Sequence, residues 1–360
     1  MNNQKTTIIA EAGVNHNGDL NLALELIDVA AGACADVVKF QTFSANELVS
    51  ITAPKTNYQL QSTDPAESQY SMLKKLELTH EQHFILKAHC EKRKIGFLST
   101  PFDGVSADFL LQKMQLPTIK ISSGEITTAP LLLQIARYQP NIILSTGMAT
   151  LGEIEDALAV LAFGLIKSTE KPSKIAFMRV YASIEGQKKL KQKVTLLHCT
   201  SDYPAKFDSI NLRAMDTLKS SFDLPVGYSD HSMGITVPIA AAARGATVIE
   251  KHFTLDRLLP GPDHQASLKP DELKKMVSSI REVEKALGNA TKMPTESEYH
   301  TKLITRKSLT AAQAISKGEK LCEENMILQR PGNGVSAIHY WEYLERFASQ
   351  DYKIGELINE

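Results

Sequence analysis

Two histidines, two lysines and two glutamates stand where short apolar runs end, at positions an ordinary hydrophobic core would not keep: Glu11, Lys39, Lys120, Glu125, His231 and His252. His231 closes the run PVGYSDH and His252 lies near the end of TVIEKHF. On adjacent strands their imidazoles would converge on one divalent cation, with water and substrate oxygens completing its shell. That donor set suits Mn, Zn or Co better than Ca. The alternative is a pair of hydrogen-bonded histidines lining a polar cleft. Lysine is normally excluded from a buried strand unless it meets an anion or a carboxylate. Lys39 and Lys120 therefore grip a phosphate or carboxylate as point charges, or pair with Glu11 or Glu125, and both can hold together. The set suggests carbon–carbon bond chemistry on a phosphorylated substrate, in which an electrophilic metal polarises a carbonyl while cations neutralise the phosphate.

Each of these residues needs an element to hold it. Eight apolar runs of strand length, mostly rich in β-branched residues, cover 8–13, 36–41, 95–100, 118–125, 142–147, 194–200, 225–231 and 247–253. A helical period follows each, over 20–33, 80–94, 105–114, 130–138, 151–165, 212–222, 235–244 and 270–287. Leu22, Leu26, Val29 and Ala30 show the spacing. Eight strand–helix units in roughly 290 residues predict an α/β fold of the (β/α)8 TIM-barrel type, in preference to an open doubly wound sheet. Barrel enzymes place their chemistry at the carboxyl ends of the strands. Glu11, Lys39, Gln41, Thr100, Lys120, Glu125, Ser145, His198, Ser229, His231 and His252 all fall there. Alternation along a strand separates Lys39 and Gln41 from Val38 and Phe40, and Lys120 from Ile119 and Ile121. Cys199, next to His198, faces the opposite way by the same rule and is assigned to packing.

Composition narrows the class. The 360 residues are 43% hydrophobic and 22% charged, enough for one large domain and a small one. No apolar run reaches the roughly 18 residues of a membrane span. A net charge of -1, without a basic stretch, argues against a nucleic-acid partner. The four cysteines are scattered without paired spacing, and MNNQKTTIIAEAG runs straight into the first strand without a signal peptide; both fit a reducing cytoplasm. Residues 44–79 are too long for an ordinary strand–helix connection and are expected to fold over the catalytic face as a lid or substrate loop. Residues 163–193 read as an elaboration on the amino-terminal face. The expected division is a catalytic barrel over 1–287, a linker over 288–304 and a small module over 305–360 that carries the turn-rich RPGNG.

The motifs AEAGVNHNGD, VKFQTF, STPFD, KISSGE, LSTGM, HCTSDYPA, GYSDHS, EKHFTLD with PGPDH, and RPGNG resemble, in order, those of the bacterial sialic acid synthase family. The resemblance covers nearly the whole chain, and its last module is similar to that family's antifreeze-like (SAF, β-clip) domain. It implies a transferase that condenses phosphoenolpyruvate with the open-chain aldehyde of an N-acyl amino sugar, giving a nine-carbon 2-keto acid and phosphate. It implies a divalent metal, usually Mn, on His231 and His252. Phosphoenolpyruvate is expected on Lys39, Lys120, Ser123 and Ser145 with Thr100 close by. The sugar is expected on Glu11, Gln41, Ser201, Tyr203 and Asp263, and Ser229 is expected to support the metal. Glu125, Glu11 and Lys120 are the expected catalytic residues, with Glu125 the candidate for proton transfer. The resemblance further implies a domain-swapped homodimer in which Arg330 of RPGNG contacts the sugar's acyl group. Some members have Asn where this chain has Ser201, which bears on the acceptor. The preferred acceptor is N-acetylmannosamine, giving N-acetylneuraminate; the alternative is a 2,4-diacetamido-2,4,6-trideoxyhexose, giving N,N'-diacetyllegionaminate or pseudaminate. Outside the family stand a Schiff-base aldolase using Lys120 and a non-catalytic sugar-binding barrel.

Overall fold

Apolar side chains at every second strand position build this protein from the inside out. A computed structural model describes residues 5–359. Residues 1–4, on which the expectation about a signal peptide bears, lie outside the described residues. The strands are β1 (Thr7–Gly13), β2 (Val37–Thr42), β3 (Gly96–Pro101), β4 (Thr118–Ile121), β5 (Asn141–Ser145), β6 (Val194–Cys199), β7 (Val226–Asp230) and β8 (Val248–His252). All pair in parallel, in the order β3-β2-β1-β8-β7-β6-β5-β4. β3 and β4, the two ends of that order, touch without a hydrogen-bonded ladder between them among the described residues, so the sheet is a near-closed (β/α)8 barrel.

Ile8, Ala10, Val38, Phe40, Ile119, Ile142, Leu196 and Ile249 face outward and are buried against the helices. Ile9, Leu98, Ile143, Leu197 and Val248 face inward and, with Val37, pave the barrel floor. Burying a side chain of this size stabilises the fold by about 1.5–3 kcal/mol. Two residues further along each strand the same inward parity brings Glu11, Lys39, Thr100, Ser145, Cys199 and Glu250 to the upper end. An apolar floor beneath a polar mouth follows directly from the period of two.

Helices follow as the spacing predicts, at Leu20–Gly32, His80–Arg93, Ala129–Arg137, Leu151–Leu165, Ala214–Phe222, Thr236–Ala243 and Pro270–Leu287. The remaining one, Gly104–Asp108, runs on as a π-helical turn over Phe109–Lys113. The segment 44–79 is a built wall, with short helices at Ala45–Leu48, Asn57–Ser62 and Gln69–Leu76. Met72 and Leu76 bury against Val14 and Phe43. Buried Lys55 staples its turn by donating to Thr63 Oγ1 at 2.9 Å and Asp64 O at 2.8 Å. Residues 163–193 add helices Lys174–Tyr181 and Ile184–Lys193 beside Leu151–Leu165, where the Phe163 and Phe177 rings meet edge to face at 5.0 Å. No helix among the described residues is long and apolar enough to cross a membrane.

The chain divides into two compact units, 1–288 and 289–360. The stretch expected as an irregular linker contains a helix, Glu296–Thr305, started by a capping box of Thr295 and Glu298. In the second unit β9 (Ser308–Ala311) pairs antiparallel with β10 (Met326–Gln329) over a core of Leu309, Ile315, Leu321, Tyr343 and Tyr352. The RPGNG loop is anchored along its length: Ser308 Oγ donates to Pro331 O at 2.7 Å and accepts from Gly334 N at 3.0 Å, and Gly332 N donates to Leu303 O at 2.7 Å.

Candidate active site

A cavity of about 420 Å³ opens at the carboxyl ends of the strands. Glu11, Lys39, Gln41, Thr100, Lys120, Ser123, Glu125, Ser145, Ser201, Tyr203, His231, His252 and Asp263 all line it. Arg330 belongs to the second unit, where it is exposed.

The floor of the cavity is a charge quartet. Lys39 Nζ lies 2.7 Å from Glu11 and 3.8 Å from Glu250, and donates to Thr100 Oγ1 at 3.1 Å. Lys120 Nζ lies 2.9 Å from Glu250, which also accepts from Ser229 Oγ at 3.0 Å. Lys120 thus pairs with Glu250, whereas Glu125 is bonded by Thr128 Oγ1 at 2.8 Å. Burial raises Glu11, with Lys39 opposing it. Glu250 suffers the same desolvation, but Lys120 and Lys39 outweigh it and hold that carboxyl low. Two carboxylates sharing two cations in a dry floor divide the charge unequally. Glu125, half-buried at the mouth, is raised by desolvation. Gly13 must be small here, with φ +54° and the Glu11, Gln41 and His252 side chains within 3.4 Å of where a Cβ would stand.

The histidines stand side by side at the ends of β7 and β8, with ring centroids 5.6 Å apart. His231 Nδ1 contacts Thr200 O at 2.7 Å; a carbonyl only accepts, so Nδ1 carries the proton and Nε2 the lone pair. Tyr203 OH donates to that Nε2 at 3.0 Å. Burial lowers His231 to about 4 and pushes His252 well below the usual range, so both imidazoles are neutral at pH 7. Buried His252 Nδ1 has no hydrogen-bond partner among the described residues and stands 3.7 Å from Asp263. Neutral rings, one oriented by a backbone carbonyl and one with an unpartnered nitrogen, fit a divalent ion. No group of three or more His, Cys, Asp or Glu with ligating geometry occurs among the described residues. An ion here would draw its other ligands from water and substrate.

The β4–β6 side carries hydroxyls. Ser145 Oγ is buried without a hydrogen-bond partner among the described residues, as expected of a donor awaiting a ligand. Ser123 Oγ accepts from Gly147 N at 2.9 Å and lies 3.1 Å from Cys199 Sγ. Ser201 also packs against Gly147. Ser201 therefore groups with Ser123 and Cys199 in the cavity lining.

Sequence reasoning missed Glu250, Cys199 and Asn15. Glu250 shares the parity of His252, two residues on, and that was the available signal. Cys199 is a cavity residue, whereas His198 at the same strand end turns outward, its Nε2 2.7 Å from Ile210 O. Asn15 locks two loops together: its Nδ2 donates to Phe253 O at 2.8 Å and to Ser267 Oγ at 2.9 Å, and Ser267 Oγ donates to Asp263 O at 2.6 Å. The NHNG turn thereby fixes where Asp263 stands.

The chain is similar to known proteins along most of its length. The "N,N'-diacetyllegionaminic acid synthase" of Campylobacter jejuni subsp. jejuni is 50% identical over 357 residues, 99% of this chain and all of the relative. The protein of the same description from Legionella pneumophila is 45% identical, over 91% of this chain and 86% of its own. The crystal structure of an N-acetylneuraminic acid (sialic acid) synthetase from Leptospira borgpetersenii superposes with a TM-score of 0.66 at 35% identity, covering 83% of this chain and 90% of that one. The NeuB family pattern matches residues 26–292, and with these relatives it shows that the chain belongs to the NeuB family of nonulosonate synthases.

Proposed function

We propose that this protein condenses phosphoenolpyruvate with a 2,4-diacetamido-2,4,6-trideoxyhexose, giving N,N'-diacetyllegionaminate and phosphate. The observation that carries this reading is the 50% identity, end to end, with a synthase of that description. It favours the second of the two acceptors weighed above over N-acetylmannosamine.

Lys39 and Lys120, with Ser123, Ser145 and Thr100, hold the phosphate and carboxylate of phosphoenolpyruvate on the β2–β5 side. Glu11, Gln41, Tyr203 and Asp263 hold the open-chain sugar so that its aldehyde lies by His231 and His252. A divalent ion bound by those histidines, Mn in our reading, supplies polarisation of the aldehyde oxygen. The enol carbon attacks the aldehyde carbon, water adds at the enol-ether carbon, and the tetrahedral intermediate collapses with C–O cleavage to release phosphate. Glu125, its carboxyl raised by burial and steadied by Thr128, moves a proton to or from that intermediate. Glu125→Gln should lower kcat by roughly 10²-fold with little change in KM; full turnover at normal binding would remove the role.

The second unit acts as an antifreeze-like domain that brings Arg330 to the acyl group of sugar bound by a partner subunit. Mixing Arg330→Ala with a Lys120→Met chain should then restore activity, because one composite site keeps both residues. No restoration counts against the exchange. The deciding assay for the whole reading is phosphate release with Mn, comparing the two acceptors at matched concentrations. Faster turnover of the diacetamido sugar, lost with EDTA and regained with Mn, is expected. Preference for N-acetylmannosamine would make the product N-acetylneuraminate. Borohydride capture of a keto acid on Lys120 would instead mean a Schiff-base aldolase.

A further inference from the structure

The two acceptors are alike around C1 to C3 and differ at the far end: acetamido against hydroxyl at C4, methyl against hydroxymethyl at C6. The residues that tell them apart must therefore lie away from the reacting carbonyl. The central quartet closes the floor of the cavity, and Ser123, Ser145 and Ser201 stand at or just past the ends of β4, β5 and β6. What remains open to the sugar's tail is the wall built by 44–79, which lends Val49, Gln59, Gln69, Met72 and Leu73 to the cavity. Ser201, the position at which the sequence suggested discrimination, lies beside Ser123 and Gly147.

Within that wall Gln59 is held in one orientation. Thr56 N donates to its Oε1 at 3.0 Å, and Gln69 Nε2 donates to the same oxygen at 3.2 Å. A backbone N–H can only donate, so the atom facing Thr56 is the oxygen. The amide nitrogen is the end left over. Among the described residues it makes no hydrogen bond, although Gln59 is 7% exposed. A fixed N–H donor in a wall that also presents apolar Val49, Met72 and Leu73 to the cavity matches an amide carbonyl flanked by methyl groups. It offers little to a hydroxymethyl group, whose own donor would find no acceptor on those side chains.

We propose that Gln59, with Val49, Met72 and Leu73, is the specificity subsite that reads the C4 acetamido group and the C6 methyl of the acceptor. This rests on the acceptor assignment made above. The test is Gln59→Glu, which keeps an oxygen for Thr56 N and Gln69 and so preserves the local cap while removing the N–H donor. The ratio of kcat/KM for the diacetamido sugar to that for N-acetylmannosamine should fall at least tenfold, with KM for phosphoenolpyruvate unchanged. Leu73→Asn, which makes the wall polar without touching that cap, should lower the same ratio. Equal losses on both sugars, a rise in KM for phosphoenolpyruvate matching the loss, or an unchanged ratio in both variants would overturn the subsite. Wild-type protein that does not turn over the diacetamido sugar would overturn the acceptor assignment itself, before any variant is made.

Discussion

Lys120→Met should cut phosphate release by roughly 10²–10³-fold or more, because one well-placed donor in a dry site is worth that much and a full charge is at stake. Lys120 reaches the floor from β4, 2.9 Å from Glu250. It is the β4 contribution to holding an anionic substrate, on the far side of the floor from Glu11. Methionine nearly preserves the volume, so the barrel should fold, although Glu250 then keeps only Lys39 at 3.8 Å as a cation and Ser229 as a donor. Steady-state phosphate release together with calorimetric binding of phosphoenolpyruvate separates the outcomes. Turnover within tenfold of the parent at unchanged affinity would take Lys120 out of the chemistry. Loss of binding and turnover together would place it in holding the substrate.

The largest effect on stability lies on the other face of β7 and β8. Lys251 and Asp230 are 0% and 1% exposed and pair at 2.6 Å. Asp230 Oδ1 also accepts from Ser232 N at 3.0 Å and Tyr228 OH at 3.2 Å, and Lys251 donates to Ser232 O. Burial pulls Lys251 below its ordinary range, with Asp230 opposing. Lys251→Met would strand a desolvated carboxylate and should cost about 3–5 kcal/mol. Lys251→Met combined with Asp230→Leu should recover most of that loss, since well-packed apolar side chains replace a buried pair at little cost. Urea unfolding at pH 7 measures both. A single-variant loss below about 1 kcal/mol would mean that water reaches Asp230. Asp230 and Lys251 directly precede His231 and His252 in the chain, so loss of the pair should also disturb the histidines.

The barrel was legible because parallel strands buried on both faces read as unbroken apolar runs, and a period of two told which residues face inward. That reasoning found Lys39, Lys120, His231 and His252 without any structure. It failed where the signal was local and short. Helices of four to eight residues in 44–79 have too few turns for a period to emerge. The helix at Glu296–Thr305 hid among Gly, Pro, Ser and Thr, although Thr295 and Glu298 spell its cap. Glu250 was passed over because an acid inside a strand reads as an anomaly until its partners are seen. A motif, moreover, fixes the order of residues along the chain but not which of them become neighbours in the cavity, as Ser123, Cys199 and Ser201 do around Gly147.

The unlaced boundary between β3 and β4 makes the ring a clasp with two lips, Thr100 on one and Lys120 on the other. Amides along such a boundary have no cross-strand acceptor and should be the first in the barrel to take up deuterium. An anion that touches Thr100 and Lys39 on one lip and Lys120 and Ser145 on the other would bridge it like a rivet. Occupancy of the site would then be readable as slowed exchange in Gly96–Pro101 and Thr118–Ile121, strands whose own hydrogen bonds the ligand never touches.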